Sequence, residues 1–388
     1  VRKVISISLI ILLAALFMGQ TSIMAEDFSL DVEAAFLIEA ETGQVLYKKN
    51  PDKRVPPASI TKIMTLLIAM EKIDKGELSF DDQVSVSKHA ESMGGSQIFL
   101  PADVRLKVRN LLKAVTIASA NDASVAVAEN IAGTYSNFIG MMNEKANELG
   151  LENTHFVNST GLPEEGNSHY STARDIAIMA RELVKYEQIR KWASTWVDYV
   201  SLPDRRAMLV NTNKLIKSYP GMDGLKTGHT SEAGFCLAAT AKREKMRLIS
   251  VVLDAESEIA REEITTRLLD YGFNGFHKKI VIKKGKEIKN IRVPGGKKTV
   301  TTAKAVANLP VILQKGSEDD IEINTILLEN LKAPVEKGEE LGKNVVTLNK
   351  NKIAEVKLIA TENIEKANIF VRLWRYFVNW IGSWLSTL

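Results

Sequence analysis

A hydroxyl and an amine lie three residues apart in PPASITKIMT, residues 56 to 65, as Ser59 and Lys62. Three-residue spacing at a helix start places both side chains on one face, so they can touch. Burial of a lysine disfavours its charged form, and a neutral amine can take the proton of a serine hydroxyl. The pair then forms an activated nucleophile. The alternative is a helix cap followed by a solvated lysine, which Ser-x-x-Lys forms by chance in many chains.

Two further short stretches carry chemistry. SAN, Ser119 to Asn121, falls between two helical patterns, where a loop can aim a hydroxyl and an amide into a cleft; serine and asparagine are also ordinary loop residues. KTG, Lys226 to Gly228, lies in a strand pattern whose alternation sends Lys226 and Gly228 to one face and Thr227 to the other. Gly228 allows a substrate backbone to come close. Each stretch alone is weak, but Ser-x-x-Lys, Ser-x-Asn and Lys-Thr-Gly in this order form the set used by acyl-transferring serine enzymes that bind penicillin.

These residues need rigid supports, and the pattern supplies them. IMTLLIAM is apolar on nearly every face, so the helix carrying Lys62 is buried. EAAFLIEAETGQVLYKKN, 33 to 50, reads as an opening hairpin around ETGQ. VRNLLKAVTIA and DASVAVAENIAG read as helices, with others at 136 to 149 and 172 to 185. GLKTGHT, GFCLAATAKRE and KMRLISVVLDA read as strands, followed by a helix in AREEITTRLLDYGF. Strands from both ends of this region should share one sheet, giving an α+β domain around a helical middle. Beyond Phe276, short Val, Ile and Leu runs separated by glycine and lysine turns predict a small β-rich domain, with the boundary near 275.

The ends of the chain suggest export. VRK followed by VISISLIILLAALFMG and the small residues of TSIMA reads as a signal peptide over 1–25, cut after Ala25; a retained anchor is the competing reading. The final stretch, 364–388, is an amphipathic helix. Glu365, Asn368, Arg372, Arg375, Asn379, Ser383 and Ser386 share its polar face, and Phe370, Leu373, Trp374, Phe377, Ile381, Trp384 and Leu388 its apolar face. Arginines interrupt it too often for a spanning helix, and its tryptophans suit a helix lying in the membrane interface.

Composition narrows the functional classes. The 388 residues are 45% hydrophobic and 25% charged, ordinary for a globular chain, with a formal net charge of only +4. An exported chain of this charge is no nucleic-acid binder, although Lys278 to Lys298 forms a basic stretch that reads as solvated strand surface or as attraction to an anionic wall. One cysteine, Cys236, allows no internal disulfide and sits in a buried strand pattern. His89, His155, His169 and His277 are scattered without metal-ligand spacing, so neither metal nor other cofactor is expected. Glu164 and Glu165 read as a solvated turn.

With PDKRVPPASITKIMT, SANDASVAVAE, STGLPEEGNSHYSTARDIA, GLKTGHT and AREEITTRLLDYGF in place, the chain from about Ala34 onward resembles the low-molecular-weight penicillin-binding proteins of the D-alanyl-D-alanine carboxypeptidase type, typified by penicillin-binding protein 5. The resemblance implies a β-lactamase/transpeptidase-like domain over 26–275, a β-rich domain over 276–363 and a membrane-anchoring helix over 364–388, on the outer side of a bacterial cytoplasmic membrane.

It implies Ser59 as acyl-enzyme nucleophile, Lys62 as its base, Ser119 as proton relay and Asn121 as a substrate-amide ligand. Lys226, Thr227 and, in a lesser role, Arg261 would bind the terminal carboxylate. Gly228 would line the substrate, and the backbone N–H groups of Ser59 and His229 would form the oxyanion hole. The implied substrate is the peptidoglycan stem pentapeptide, and β-lactams would act as covalent inhibitors. Ala120 stands where relatives often have glycine, and LPADV replaces a Pro-Gly-acidic turn, but neither change removes a reacting group. A penicillin-hydrolysing enzyme, a transpeptidase or endopeptidase with the same nucleophile, and a non-catalytic membrane-bound wall scaffold are the competing readings.

Overall fold

Strand β1 (Ala34–Glu39) is buried at all six positions, which explains why its sequence shows an apolar run instead of alternation: a central strand covered on both faces has no solvent side. In the computed structural model, which describes residues 28–166, 168–316 and 321–385, β1 pairs antiparallel with β2 (Val45–Lys49) on one side. On the other side it pairs with a strand from late in the chain. The proposed signal sequence lies outside the described residues. The account below concerns Val32–Leu388, which cluster as one unit.

Helices follow the hairpin. They are α1 (Lys62–Asp74), α2 (Val108–Ala118), α3 (Asn121–Ala132), α4 (Tyr135–Glu148) and α5 (Ala173–Leu183). Strands β3 (Met222–Thr230), β4 (Gly234–Arg243) and β5 (Met246–Ala255) complete an antiparallel sheet of order β2-β1-β5-β4-β3, and α6 (Glu258–Gly275) packs on it. Strands from both ends of the region therefore do share one sheet. Phe36 and Ile38 enter the large core with α1, α2 and α3, whereas Leu37 on the opposite face lies against α6 at Gly272. A Cβ on Gly272 would come within 2.5 Å of the Leu248 side chain, so glycine sets how closely that helix approaches.

After Gly275 the chain forms β6 (Phe276–Ile282), β7 (Glu287–Arg292), β8 (Val300–Ala305), β9 (Leu309–Gln314), β10 (Ile321–Leu327), β11 (Glu340–Leu348) and β12 (Asn351–Ala360). Strand β6 pairs with β9, and the others form a sheet of order β7-β8-β12-β11-β10 around a second core. The basic stretch is solvated as its sequence suggests, with Lys278 the exception. Lys278 is largely covered and is paired with buried Glu39 and with Glu41, while Lys297 and Lys298 pair with Glu365 and Glu362. Lys278 reaches these carboxylates because β6 lies beside the β1–β2 hairpin, where Gln44 also bonds both backbone groups of Ile312.

The last helix, α7 (Ile369–Leu385), starts later than the 364 read from the sequence, because Ile364 belongs to the β-rich core, buried Ala367 donates its N–H to the Gly295 carbonyl and Asn368 accepts from the Val371 N–H at the helix start. Arg375 is not a solvated residue of the polar face: its guanidinium donates to the carbonyls of Gly296 and Lys297. Phe370, Leu373, Trp374 and Phe377 are exposed. Among the described residues no helix is long and apolar enough to cross a membrane.

Candidate active site

Pro56 and Pro57 deliver the chain to Ala58, whose positive φ of 48° turns it sharply, and Ala58–Thr61 then forms a single 3-10 turn before α1 begins at Lys62. Three residues per turn eclipse positions i and i+3. That turn, and not the first turn of an α-helix, sets Lys62 Nζ 2.8 Å from Ser59 Oγ. Ser59 remains partly open to solvent, whereas every residue from Lys62 to Met70 is buried.

The amine also donates to the carbonyl of Thr160 at 2.7 Å. Burial holds its pKa well below the ordinary lysine value, the nearby Lys226 cation adds to this, and Asp122 opposes it. A neutral amine at this distance can accept the Ser59 hydroxyl proton.

The Thr160 carbonyl is aimed by a tightly bonded loop. Asn158 Oδ1 accepts from the N–H groups of Thr160 and Gly161 and from the Thr160 hydroxyl, while the Ser159 carbonyl accepts from Thr65 and Ser124 hydroxyls. Gly161 has φ +78°, and a Cβ there would lie 1.7 Å from the Ala58 carbonyl oxygen, so the loop backbone presses directly on the turn that carries Ser59. His169 ties the same loop to that turn: the Val157 N–H donates to its Nδ1 at 3.2 Å, which leaves Nε2–H to donate to Thr61 Oγ1 at 2.8 Å. Burial, then His155 and Lys62, push its pKa down to about 4, so the ring is neutral. No spacing in the sequence marks His169 for this role, because its contact with Thr61 spans 108 residues.

Helix α2 ends where Ser119 takes a left-handed conformation, φ 61°, and the N–H of Ala120 closes on the Ala114 carbonyl. This is an uncommon cap for a serine, and it brings Ser119, Ala120 and the start of α3 into one buried corner. Asn121 donates from Nδ2 to the Gly94 carbonyl at 2.7 Å, while its buried Oδ1 has no partner among the described residues. Asp122 accepts from the backbone of Ile98, Leu100 and Ala123, with its pKa raised chiefly by burial. The loop at 94–100 therefore clamps the second motif. A Cβ on Gly95 in this loop would meet Asn121 Nδ2 at 2.9 Å.

On β3, Lys226 and Thr227 are both buried, so both faces of the strand are covered here. Lys226 Nζ donates to the Thr227 carbonyl at 2.8 Å, and the Thr227 and Thr212 hydroxyls are 2.6 Å apart. Burial and then the Arg261 cation lower the Lys226 pKa to about 7. A Cβ on Gly228 would sit 3.0 Å from the Pro57 carbonyl oxygen, so glycine lets this strand lie against the turn that carries Ser59. His229 is exposed and stacks on Phe235, its cross-strand neighbour, with ring centres 4.0 Å apart. Arg261 is buried on α6 and held by Glu258 and Glu262, with its Nε lacking a partner among the described residues.

The fold thus brings Ser59, Lys62 and Lys226 together and packs Gly228 behind Ser59's turn, with Arg261 within electrostatic range of Lys226. Its chemistry is a partly open hydroxyl backed by two amines whose pKa values are depressed.

Residues 20–257 match the family model described as D-alanyl-D-alanine carboxypeptidase, and residues 276–366 match the penicillin-binding protein 5 C-terminal domain. The chain is 42% identical over 378 residues to D-alanyl-D-alanine carboxypeptidase DacF of Bacillus subtilis, covering 97% of each protein. Its structure is similar to that of penicillin-binding protein 5 from Haemophilus influenzae, with TM-score 0.78 and 32% identity, over 87% of this chain and 99% of that one. It is also similar to penicillin-binding protein D2 from Listeria monocytogenes in its ampicillin-bound form, with TM-score 0.55 and 34% identity, over 64% and 99% of the two chains.

Proposed function

The chain belongs to the D-alanyl-D-alanine carboxypeptidase family and is a serine enzyme of that activity; from that premise we propose which residues perform the reaction and on what substrate. The observation that carries the assignment is the buried Lys62 amine 2.8 Å from Ser59 Oγ. Lys62 takes the hydroxyl proton as Ser59 attacks the carbonyl carbon of the penultimate D-alanine in a peptidoglycan stem pentapeptide. The negative charge on the carbonyl oxygen is met by the backbone N–H groups of Ser59 and His229.

The bond to the terminal D-alanine then breaks, its nitrogen receives a proton through Ser119, and water hydrolyses the ester on Ser59. Asn121 Oδ1, buried without a partner, is an acceptor for a substrate amide N–H. Lys226 and Thr227 bind the substrate carboxylate beside Gly228, and Arg261 supports them from behind. β-Lactams acylate Ser59 in the same way, with the ring amide as the bond broken.

The chain organisation we propose is a signal peptide over 1–25, a peptidase domain over 26–275, a β-rich domain over 276–363 extended by its last core residues to Ala367, and an anchoring helix after that. The exposed Phe370, Leu373, Trp374 and Phe377 support a helix seated in the outer interface of the cytoplasmic membrane.

The test is mass spectrometry after incubating the purified protein with a diacyl-Lys-D-Ala-D-Ala peptide, beside its Ser59→Ala variant. Release of one D-alanine by the wild type alone supports the assignment. Release by both, or by neither while penicillin still forms an adduct on Ser59, removes the proposed substrate step.

A further inference from the structure

The loop that presents the Thr160 carbonyl to Lys62 is clamped at successive peptide units, and the first clamp is a phenol outside the reacting set. The Thr160–Gly161 unit is held at its N–H by Asn158 Oδ1 at 2.7 Å, and its carbonyl accepts from the Lys62 amine. The Ser159–Thr160 unit is held at its carbonyl by the hydroxyls of Thr65, on α1, and Ser124, on α3. The Asn158–Ser159 unit is held at its N–H by the phenol oxygen of Tyr135, 2.9 Å away on the first turn of α4. Asn158 belongs to the loop and moves with it, so Thr65, Ser124 and Tyr135, one from each of three helices, are what fix buried Ser159 in place.

Tyr135 is itself well seated. Its oxygen lies 3.2 Å from Ser159 Oγ as well, so it accepts the N–H while its own proton can go to the serine oxygen. The ring packs on the large core, and the His89 ring meets it edge-on at 4.8 Å between centres, with His89 held in turn by Glu129 at 2.9 Å. Burial raises the phenol pKa, and the Glu164 and Glu129 carboxylates add to this, so the hydroxyl keeps its proton.

The aim of the base depends on this loop. A neutral amine has one lone pair, and donating an N–H to the Thr160 carbonyl at 2.7 Å restricts rotation of the amine and directs that lone pair to the Ser59 hydroxyl at 2.8 Å. Tyr135→Phe keeps the ring and its packing and removes only the acceptor. The Ser159 N–H then loses its partner in a buried place, which favours a turn of the Asn158–Ser159 unit toward another acceptor. Adjoining planar units share a Cα, so the change passes along the backbone to the Thr160 carbonyl.

We propose that Tyr135 is a positioning residue for acyl transfer, holding the Ser159–Thr160 backbone so that the Thr160 carbonyl aims the Lys62 amine at Ser59; this rests on the reading of Lys62 as the base. The experiment is stopped-flow acylation by penicillin over a range of concentrations, with wild type, Tyr135→Phe, Ser159→Ala and Lys62→Ala. Saturation separates the dissociation constant of the complex that precedes the covalent bond from the first-order acylation constant. Both constants are read from the protein that becomes acylated, so a misfolded fraction does not enter them.

Tyr135→Phe should leave the dissociation constant within about twofold and lower the acylation constant about tenfold, the scale of one buried hydrogen bond left unmade. Ser159→Ala keeps the N–H bond to the phenol and loses only the hydroxyl, so its acylation constant should stay within about threefold of wild type on the same scale. An unchanged acylation constant in Tyr135→Phe, a loss carried by the dissociation constant, or an equal loss in Ser159→Ala overturns the positioning role and leaves Lys62 as the base. Acylation of Lys62→Ala at the wild-type rate overturns the reading of Lys62 itself, whatever Tyr135→Phe does.

Discussion

Neutral His169 makes the folded protein acid-sensitive in a way that can be isolated. Its pKa falls from 6.5 to about 4 on folding, so between these values the unfolded chain binds a proton that the folded chain does not. Stability then rises with pH across that window and is lost as pH falls from 6.5 toward 4. The shift corresponds to at most about 3 kcal/mol at 1.36 kcal/mol per unit, and to about 2 kcal/mol because the ring keeps some solvent contact. With a urea slope of roughly 2 kcal/mol/M, the midpoint should move by about 1 M.

His169→Gln keeps a neutral donor and acceptor between Val157 and Thr61 but cannot titrate. Urea unfolding of wild type and variant at several pH values from 4 to 7, followed by fluorescence, gives the two slopes, and contributions from the carboxylates and the other histidines cancel in their difference. The wild type should lose about 2 kcal/mol more than the variant on acidification. Equal slopes would refute the claim that a neutral, doubly bonded His169 braces the nucleophile turn.

The depressed Lys62 pKa predicts that penicillin acylation of Ser59 rises with pH and reaches its plateau well below the ordinary lysine value of 10.5, since the base acts in its neutral form. Stopped-flow acylation rates measure this. Because Lys226 titrates beside it, the limb should belong to the coupled pair, and Lys226→Ala should move it upward; a limb near 10.5 in the wild type would contradict a buried neutral base.

Gly161→Ala forces the Ala58 carbonyl away from a Cβ otherwise 1.7 Å distant, so we expect a loss of roughly 2 kcal/mol or more in stability together with slower acylation, read by thermal melts and penicillin labelling. For the tail, truncation after Ala367 should release the protein from membrane vesicles with D-alanine release retained. Truncation before Ile364, which is 2% exposed, should instead destabilise the β-rich domain, and sedimentation with vesicles beside thermal melting separates the two effects.

The groups proposed to react were legible as candidates in the sequence because their information is local. Ser59 and Lys62 are one 3-10 turn apart, Ser119 and Asn121 share one interhelical corner, and Lys226 and Gly228 share one strand face, so type and spacing were enough to single them out. The helices and strands around them were legible for a similar reason, since apolar periodicity reports which face each element buries.

What tunes and braces those groups is not local. Thr160 meets Lys62 across 98 residues, His169 meets Thr61 across 108, and Glu39 meets Lys278 across 239. No periodicity or spacing encodes such a meeting, because it exists only after the core has brought distant loops to the same place. The depressed amine pKa is likewise a property of burial and of neighbouring charge. The sequence determined which groups can react; the tertiary structure decided their protonation, their aim and the place where the β-rich core ends and the last helix begins.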